Sequence, residues 1–217
     1  MLILLPPSEK KRNPETGPLV DLHELSFAKA LLSARTSALG TNSQWAQMPC
    51  TEAINIYSGV LYQALDWSQL DIASQKRAQA SIVIISALFG ALRPLDLIPY
   101  YKEKITPSHW KTIITATLSE LNPKLIVDAR SSTYSSVWTP PPANTVGIRV
   151  YQFRQGKKTV ITHMSKKTRG DVTRLLVSED EKPQTPDAAL AIIKRTYGCE
   201  LIPPSGGKSW FIDVIAE

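Results

Sequence analysis

The sequence predicts an α/β (or α+β) fold for its 217 residues: one domain over residues 1–217, with helices around a mixed sheet. Three observations predict it. Short apolar, β-branched runs are typical of buried strands, segments with apolar residues at helical spacing separate them, and two alternating segments predict a β-hairpin. Hydrophobic residues make up 43% of the chain and charged residues 20%, so the composition is that of a globular protein rather than a disordered one.

Apolar spacing and the residues that interrupt it give the elements of the first half. In chain order they are a strand at 1–5, a helix at 21–39, a helix at 52–65, a central buried strand at 81–86, a turn segment at 87–96, a helix at 107–121 and a strand at 125–127. Proline stops the first strand at Pro6, and Gly40 ends the first helix. In the second helix, Ile56, Val60 and Leu61 are expected on one face.

The second half is predicted to begin with the hairpin. Its strands are expected at 146–153 and 159–164, followed by a helix from about 168, a helix at 186–197 and strands at 200–202 and 210–215. Thr168 is the expected N-cap of the first of these helices, with Asp171 at the third helical position. Val172, Leu175 and Leu176 would face inward.

The excess positive charge is concentrated in one segment. Lys and Arg number 25 against 19 acidic residues, for a net charge of +6. Residues 149–174 hold eight basic side chains against Asp171 alone, a local net charge of +7. The charge therefore favours a local anion-binding site over a generally basic surface.

Two cysteines far apart in sequence, Cys50 and Cys199, argue against a disulfide scaffold or a cysteine-rich zinc module. The opening apolar run is too short for a signal peptide, and no stretch approaches the roughly 20 apolar residues of a membrane span. A cytoplasmic protein with no membrane partner is expected. No metal site is expected either, because His, Asp and Glu residues lack ligand spacing.

Three polar segments are candidate binding sites. In the first, Lys166, Lys167 and Arg169 crowd the positive end of a helix dipole, which is unfavourable unless an anion binds there. In the second, Arg93 and Asp96 follow a buried strand, where a fork-shaped guanidinium can hold a carboxylate or phosphate. The third follows the strand at 125–127 and carries Arg130 and several hydroxyls. The alternative for the first segment is a solvated basic loop, although the dipole conflict favours an anion site. A structural Arg–Asp pair for the second and a cap for the third are equally good interpretations.

Four motifs together resemble the YaaA family of peroxide stress proteins. They are MLILLPPSEKK at the start, SALFGALRPLDLIPYY, DARSSTYSSVW and ITHMSKKTRG, and the resemblance runs from residue 1 to about 177. It implies an α/β protein of the hydrogen peroxide response that limits damage by free iron and binds DNA through a basic cleft and a helix-hairpin-helix-like element. The candidate hairpin is Leu88–Leu92, where Leu92 replaces the second glycine. Neither a cofactor nor an established reaction comes with the family, and none is expected.

Two functions follow as hypotheses. The first is a non-enzymatic protein that binds DNA without sequence specificity, and its phosphate contacts would come from Lys157, Lys158, Lys166, Lys167, Arg169 and Arg93. The second is an enzyme or binder for a small anionic or nucleotide-like molecule, and its pocket would combine Lys10, Arg93, Asp96, Ser131, Ser132, Tyr134 and Lys167. No catalytic motif is recognisable, so the sequence favours a non-enzymatic protein. The oligomeric state is not readable from the sequence.

Overall fold

The computed structural model describes residues 1–40, 44–154, 157–160 and 163–215. Its strands are β1 (Leu2–Leu5), β2 (Cys50–Glu52), β3 (Ile82–Ser86), β4 (Gly90–Leu92), β5 (Leu97–Pro99), β6 (Ile126–Asp128), β7 (Thr145–Arg154), β8 (Lys157–Val160), β9 (Gly198–Ile202) and β10 (Trp210–Ile215). Its helices are α1 (Ala28–Leu39), α2 (Ala53–Ile56), α3 (Val60–Leu65), α4 (Ile72–Ser81), α5 (Pro107–Ser119), α6 (Ser132–Ser135), α7 (His163–Ser178) and α8 (Pro186–Ile193).

The main sheet has the strand order β4-β3-β1-β6-β7-β10-β9, and β8 pairs with the projecting end of β7. The strands β3, β1, β6, β7 and β10 are parallel, whereas β4, β8 and β9 are antiparallel to their neighbours. The small sheet pairs β2 with β5. The mixed α/β architecture predicted from the sequence is confirmed.

Both faces of the sheet are covered, because its central strands are apolar on both sides. In β1, Ile3 and Leu5 belong to one apolar cluster, and Leu2 and Leu4 belong to the other. The first cluster takes in α2, α3, α7 and α8, and the second takes in α1 and α5. Continuous apolar strands are thus sandwiched between two layers of helices.

In the first half of the chain, two predicted helices differ from those observed, and the helix α4 was not predicted. The first begins at Ala28 rather than at residue 21, because Phe27 has a left-handed backbone with φ of 63° that breaks the helical path. The second helix, predicted at 52–65, is not continuous. Glu52 is the last residue of β2, and the chain then forms two short helices, α2 and α3, which Tyr57–Gly59 separates. Val60, expected on the apolar face, is 36% exposed.

The segment Leu88–Leu92 joins two strands instead of two helices. It carries the turn between β3 and β4, and all of its residues are buried. Gly90 has a φ of +72°, and a Cβ there would collide with the ring of Trp110. The buried guanidinium of Arg35 donates to Phe89 O at 3.0 Å and Ala91 O at 2.8 Å. This turn is a core element, so it offers no surface to DNA.

Candidate functional site at the carboxyl edge of the sheet

The strand order creates a crevice between β1 and β6. The chain leaves β1 toward its neighbour β3 on one side, whereas it leaves β6 toward β7 on the other. Loops that diverge in this way leave a gap beyond the carboxyl ends of the two strands, which is where open α/β sheets bind ligands. The residues that follow β1 and β6 therefore define the candidate site.

The loop after β1 lies against the start of α3. Ser58 N donates to Lys10 O at 3.0 Å, and Arg12 N donates to Ile56 O at 2.8 Å. A Cβ at Gly59 would collide with Ser8 Oγ, so the absence of a side chain at this position lets the loop approach the helix. These contacts fix the backbone from which Glu9, Lys10 and Arg12 project as exposed side chains.

The loop after β6 is organised by Arg130, whose side chain is fully buried. It donates to Asp128 Oδ1 from Nε at 2.9 Å and to Oδ2 from Nη2 at 2.7 Å. Its remaining donors reach Tyr134 O and Trp138 O. Ser131 then precedes α6, on which Ser132 is exposed. Arg130, expected to be able to contact a ligand, instead holds this loop in place.

Arg169 on α7 approaches the same edge from the side of β7. Its Nη2 donates to Ile148 O at 3.3 Å, and its Nε is buried without a hydrogen-bond partner among the described residues. Burial lowers the pKa of Arg169, and the neighbouring Asp128 carboxylate opposes that change. A buried guanidinium N–H that lacks an acceptor is costly, so this group favours an anion.

Tyr134 and Lys11 bring further titratable groups to this edge. Burial raises the pKa of Tyr134, and the Glu9 carboxylate raises it further. Lys11 pairs with Tyr57 in an isolated antiparallel bridge, and its Nζ lies 4.5 Å from the ring centroid of Tyr101. Because these groups come from both loops, the two loops face each other across the crevice.

The structure divides the predicted pocket into two places. Lys10, Ser131, Ser132 and Tyr134 belong to the loops at the carboxyl edge, and Lys167 lies on α7 two residues before Arg169. Arg93 and Asp96 lie at the opposite edge, because β4 runs antiparallel to β3 and returns the chain toward the start of β3. One pocket made from all seven residues is therefore excluded.

Arg93 and Asp96 have structural roles at that opposite edge. Arg93 Nη1 donates to Ala80 O and Ile82 O, both at 3.0 Å, at the end of α4. Asp96 accepts hydrogen bonds from Ser26 N, Ser26 Oγ and Arg93 N. The two side chains border an open groove of about 530 Å³, also lined by Glu24, Lys76 and Gln79. The guanidinium is occupied by carbonyls and is a poor candidate for a phosphate contact.

Most described cations of the basic segment already have partners. Lys158 Nζ lies 2.6 Å from Glu200 Oε1 and 2.8 Å from Asp213 Oδ2, and Arg149 Nε lies 2.6 Å from Asp213 Oδ1. Lys167 pairs with Asp171 at 2.8 Å. Lys166 is exposed, and the described part of the chain gives it no ion-pair partner. The side chain of Lys157 lies outside the described residues.

The predicted N-cap at Thr168 is wrong. The helix α7 begins at His163, and Thr168 is buried inside it, where its Oγ1 donates to Met164 O at 3.1 Å. Gly170 packs against α3 so closely that a Cβ would collide with Leu61 O. Lys166 precedes Gly170 by four residues and lies on the same face of α7, toward α3. The helix thus begins earlier than predicted but still places Lys166 and Lys167 in its first turns.

Sequence reasoning missed Lys11, Glu9 and Asp213, and it included Asp128 in a candidate segment without giving it a role. Glu9 and Lys11 follow a buried strand, which is the signal that could have found them. Asp213 is 3% exposed and neutralises Arg149 and Lys158, which come from other segments, so no local sequence pattern predicts these ion pairs. Among the described residues, no group of three or more His, Cys, Asp and Glu side chains could hold a metal ion. In the same residues, no helix is long and apolar enough to cross a membrane.

Comparison with known proteins gives one family. A family model described as "Peroxide stress protein YaaA" matches residues 1–197. A UPF0246 protein of Streptomyces coelicolor is 30% identical over 261 aligned residues, which cover 100% of this chain and 99% of the relative. A UPF0246 protein of Corynebacterium glutamicum is 29% identical over 230 residues, covering 88% of this chain and 91% of the relative. One from Corynebacterium efficiens is 32% identical over 223 residues, covering 85% and 88%.

Proposed function

Since the chain belongs to the family of the peroxide stress protein YaaA, we propose that it is a cytoplasmic protein of the peroxide response that binds DNA largely without sequence specificity. One observation supports the proposal: exposed cations lie on the loop after β1 and in the first turns of α7, the helix that also brings Arg169 to the carboxyl end of β6. Lys10 and Arg12 come from the loop after β1, and Lys166 comes from the first turns of α7. Point charges spaced along an edge suit a phosphate backbone, which carries no base information.

Binding of this kind connects to damage by free iron. A lysine or arginine that neutralises a phosphate releases the cation condensed there. Iron(II) on DNA belongs to that displaced population, so a bound protein lowers the amount of iron held where hydroxyl radicals harm DNA. The protein needs no iron ligands of its own for this effect.

Salt dependence tests the proposal. The affinity for a fluorescent 20-base-pair duplex is measured by anisotropy across a range of salt concentrations. We expect log K to fall linearly with log salt, with a slope of about −0.9 for each phosphate neutralised. The variants Lys10→Ala, Arg12→Ala and Lys166→Ala should each reduce the slope by about one such step. Lys111→Ala, an exposed lysine on α5, is the matched control and should leave it unchanged. A slope near zero for the unmodified protein contradicts the proposal.

A second candidate function is binding of a small phosphate-bearing molecule in the crevice. The specific observation in its favour is the buried Nε of Arg169, which has no acceptor among the residues that the structure describes and lies beside a topological switch point. Thermal unfolding with inorganic pyrophosphate or a nucleoside monophosphate tests it, because a ligand that binds only the native state raises the Tm. Arg169→Gln should abolish such a rise, and a Tm that stays constant up to millimolar ligand argues against this candidate.

A further inference from the structure

Lys11 has an amine in unusual surroundings. Its Nζ lies 4.5 Å from the ring centroid of Tyr101 and 5.9 Å from that of Tyr57. Both tyrosines are buried, and their hydroxyls bond each other at 2.7 Å, so neither hydroxyl is turned to the amine as a dedicated partner. Within the described residues, no ion pair or hydrogen bond holds Lys11 Nζ. Lys11 is half-buried as a residue, and its amine lies against aromatic faces.

Ionisable and hydroxyl groups from three segments surround Lys11. Glu9 lies two residues before it on the same loop, and its carboxylate influences both Lys11 and Tyr134. Tyr101 Oη accepts or donates to Ser86 Oγ at 2.8 Å, which ties the cluster to the end of β3. Burial lowers the pKa of Lys11, and Glu9 opposes that change only in part. A larger share of the amine is therefore neutral than in an exposed lysine.

We propose that Lys11 is a nucleophile that forms an imine with the aldehyde of a phosphate-bearing sugar held in the crevice. A neutral amine beside apolar surfaces is the arrangement that activates lysine toward carbonyl carbon. The phosphate would be recognised by the cations that border the same crevice, Lys10, Arg12 and Arg169. Where the aldehyde belongs to a sugar within DNA, the inference rests on the proposed function of DNA binding.

The step balances without an oxidant or reductant. The Nζ lone pair attacks the carbonyl carbon, a C–N bond forms as the C=O π bond breaks, and one amine proton passes to the carbonyl oxygen. The resulting carbinolamine loses this hydroxyl group and the remaining N–H hydrogen as one molecule of water, which leaves a C=N double bond. We assign the exchange of these protons to the Glu9 carboxyl group, whose charge influences both Lys11 and Tyr134.

Two kinds of molecule carry both the aldehyde and the phosphate that the crevice would bind. The ring-opened sugar at an abasic site in DNA carries an aldehyde between two phosphates, and a free aldose phosphate carries an aldehyde and one phosphate. The folded protein is incubated with a duplex containing an abasic site or with glyceraldehyde 3-phosphate, in the presence of cyanoborohydride. The reagent reduces an imine to a stable amine, and peptide mass mapping locates the adduct.

We expect a single adduct at Lys11 with at least one of the two aldehydes. Lys11→Arg keeps a cation over Tyr101 but should lose the adduct, because the guanidinium remains protonated. Lys111→Arg is the matched control and should keep it. An adduct with the abasic duplex alone identifies DNA as the source of the aldehyde. An adduct with glyceraldehyde 3-phosphate alone identifies a small sugar phosphate as the source. No adduct, or adducts spread over exposed lysines and retained in Lys11→Arg, overturns the inference.

A third measurement separates this inference from DNA binding itself. A duplex with a tetrahydrofuran abasic analogue has no aldehyde, so its affinity reports binding without imine formation. Lys11→Arg should bind it within twofold of the unmodified protein. If the unmodified protein fails to bind any duplex while Lys11 still reacts with glyceraldehyde 3-phosphate, the DNA proposal fails and the nucleophile stands.

Discussion

The guanidinium of Arg130 donates to both carboxylate oxygens of Asp128, at 2.9 and 2.7 Å, immediately after β6. The side chain of Arg130 has no exposed surface, whereas that of Asp128 is 17% exposed. The pair fixes the loop that forms one wall of the crevice. Because a buried arginine cannot lose its proton, it depends on Asp128 for neutralisation.

Asp128→Ala should lower the free energy of unfolding by about 3 kcal/mol, because Arg130 then remains buried without a counterion. Urea unfolding measures the change. The double variant Asp128→Ala/Arg130→Met removes both charges and should be more stable than Asp128→Ala alone. If Asp128→Ala lowers the free energy of unfolding by less than about 1 kcal/mol, the pair contributes no more than an exposed surface ion pair, which contradicts the prediction.

Lys158 and Lys166 should differ in their contribution to DNA binding. Lys158 already contacts Glu200 and Asp213, so a phosphate would have to compete with two carboxylates. We expect Lys158→Ala to change the salt slope by less than half of the change caused by Lys166→Ala, for which the expected step is about 0.9. Equal effects in the anisotropy titration would show that the ion pairs of Lys158 open on binding.

Gly170→Ala should destabilise the contact between α7 and α3, because the new Cβ meets Leu61 O and the Cβ of Ala64. Overpacking of this kind costs about 1–3 kcal/mol, which urea unfolding resolves. Gly198→Ala is the matched control. A Cβ there meets Ile215 at ordinary contact distance of 3.8 Å, so stability should stay the same or rise slightly. Equal losses for both variants would contradict the close packing at Gly170.

Cys50 should make stability fall at alkaline pH. Burial raises the pKa of the Cys50 thiol to about 11, whereas the thiol of an unfolded chain has a pKa of about 8.5. Above the lower value the unfolded chain loses a proton that the native protein keeps, so the free energy of unfolding decreases as the pH rises.

Urea unfolding from about pH 8 to about pH 9.5 covers this window before unfolded tyrosines, with pKa near 10, contribute strongly. Cys50→Ala should show a shallower decrease than the unmodified protein. The half-buried Cys199 should also react with a thiol reagent before Cys50 does. A pH dependence unchanged by Cys50→Ala would mean that other groups cause the decrease.

Two of the central strands could be predicted because their signals are local. The apolar run before Pro6 became β1, and the β-branched run at 81–86 became β3. Pro107 and Pro186 are the first residues of α5 and α8, as predicted, but α8 ends at Ile193 rather than at residue 197, and Gly198 begins β9. The prediction of one helix at 52–65 was wrong because the chain turns at Tyr57–Gly59, where the loop after β1 packs against it. That contact joins residues about 50 positions apart, so no local pattern predicts it.

The sequence by itself determined the fold class, the chain's basic segment and the motifs of its family, since these depend on residue type and on neighbours along the chain. Only the tertiary structure decided which charged groups are free. Asp213 neutralises Arg149 and Lys158 across strand pairs, Arg93 is bound by carbonyls at the far edge, and Arg169 stands beside Asp128. The order of the strands determines which of these charged groups meet, because pairing between distant segments fixes which side chains lie at the same edge of the sheet. The distribution of charge along the sequence does not contain this information.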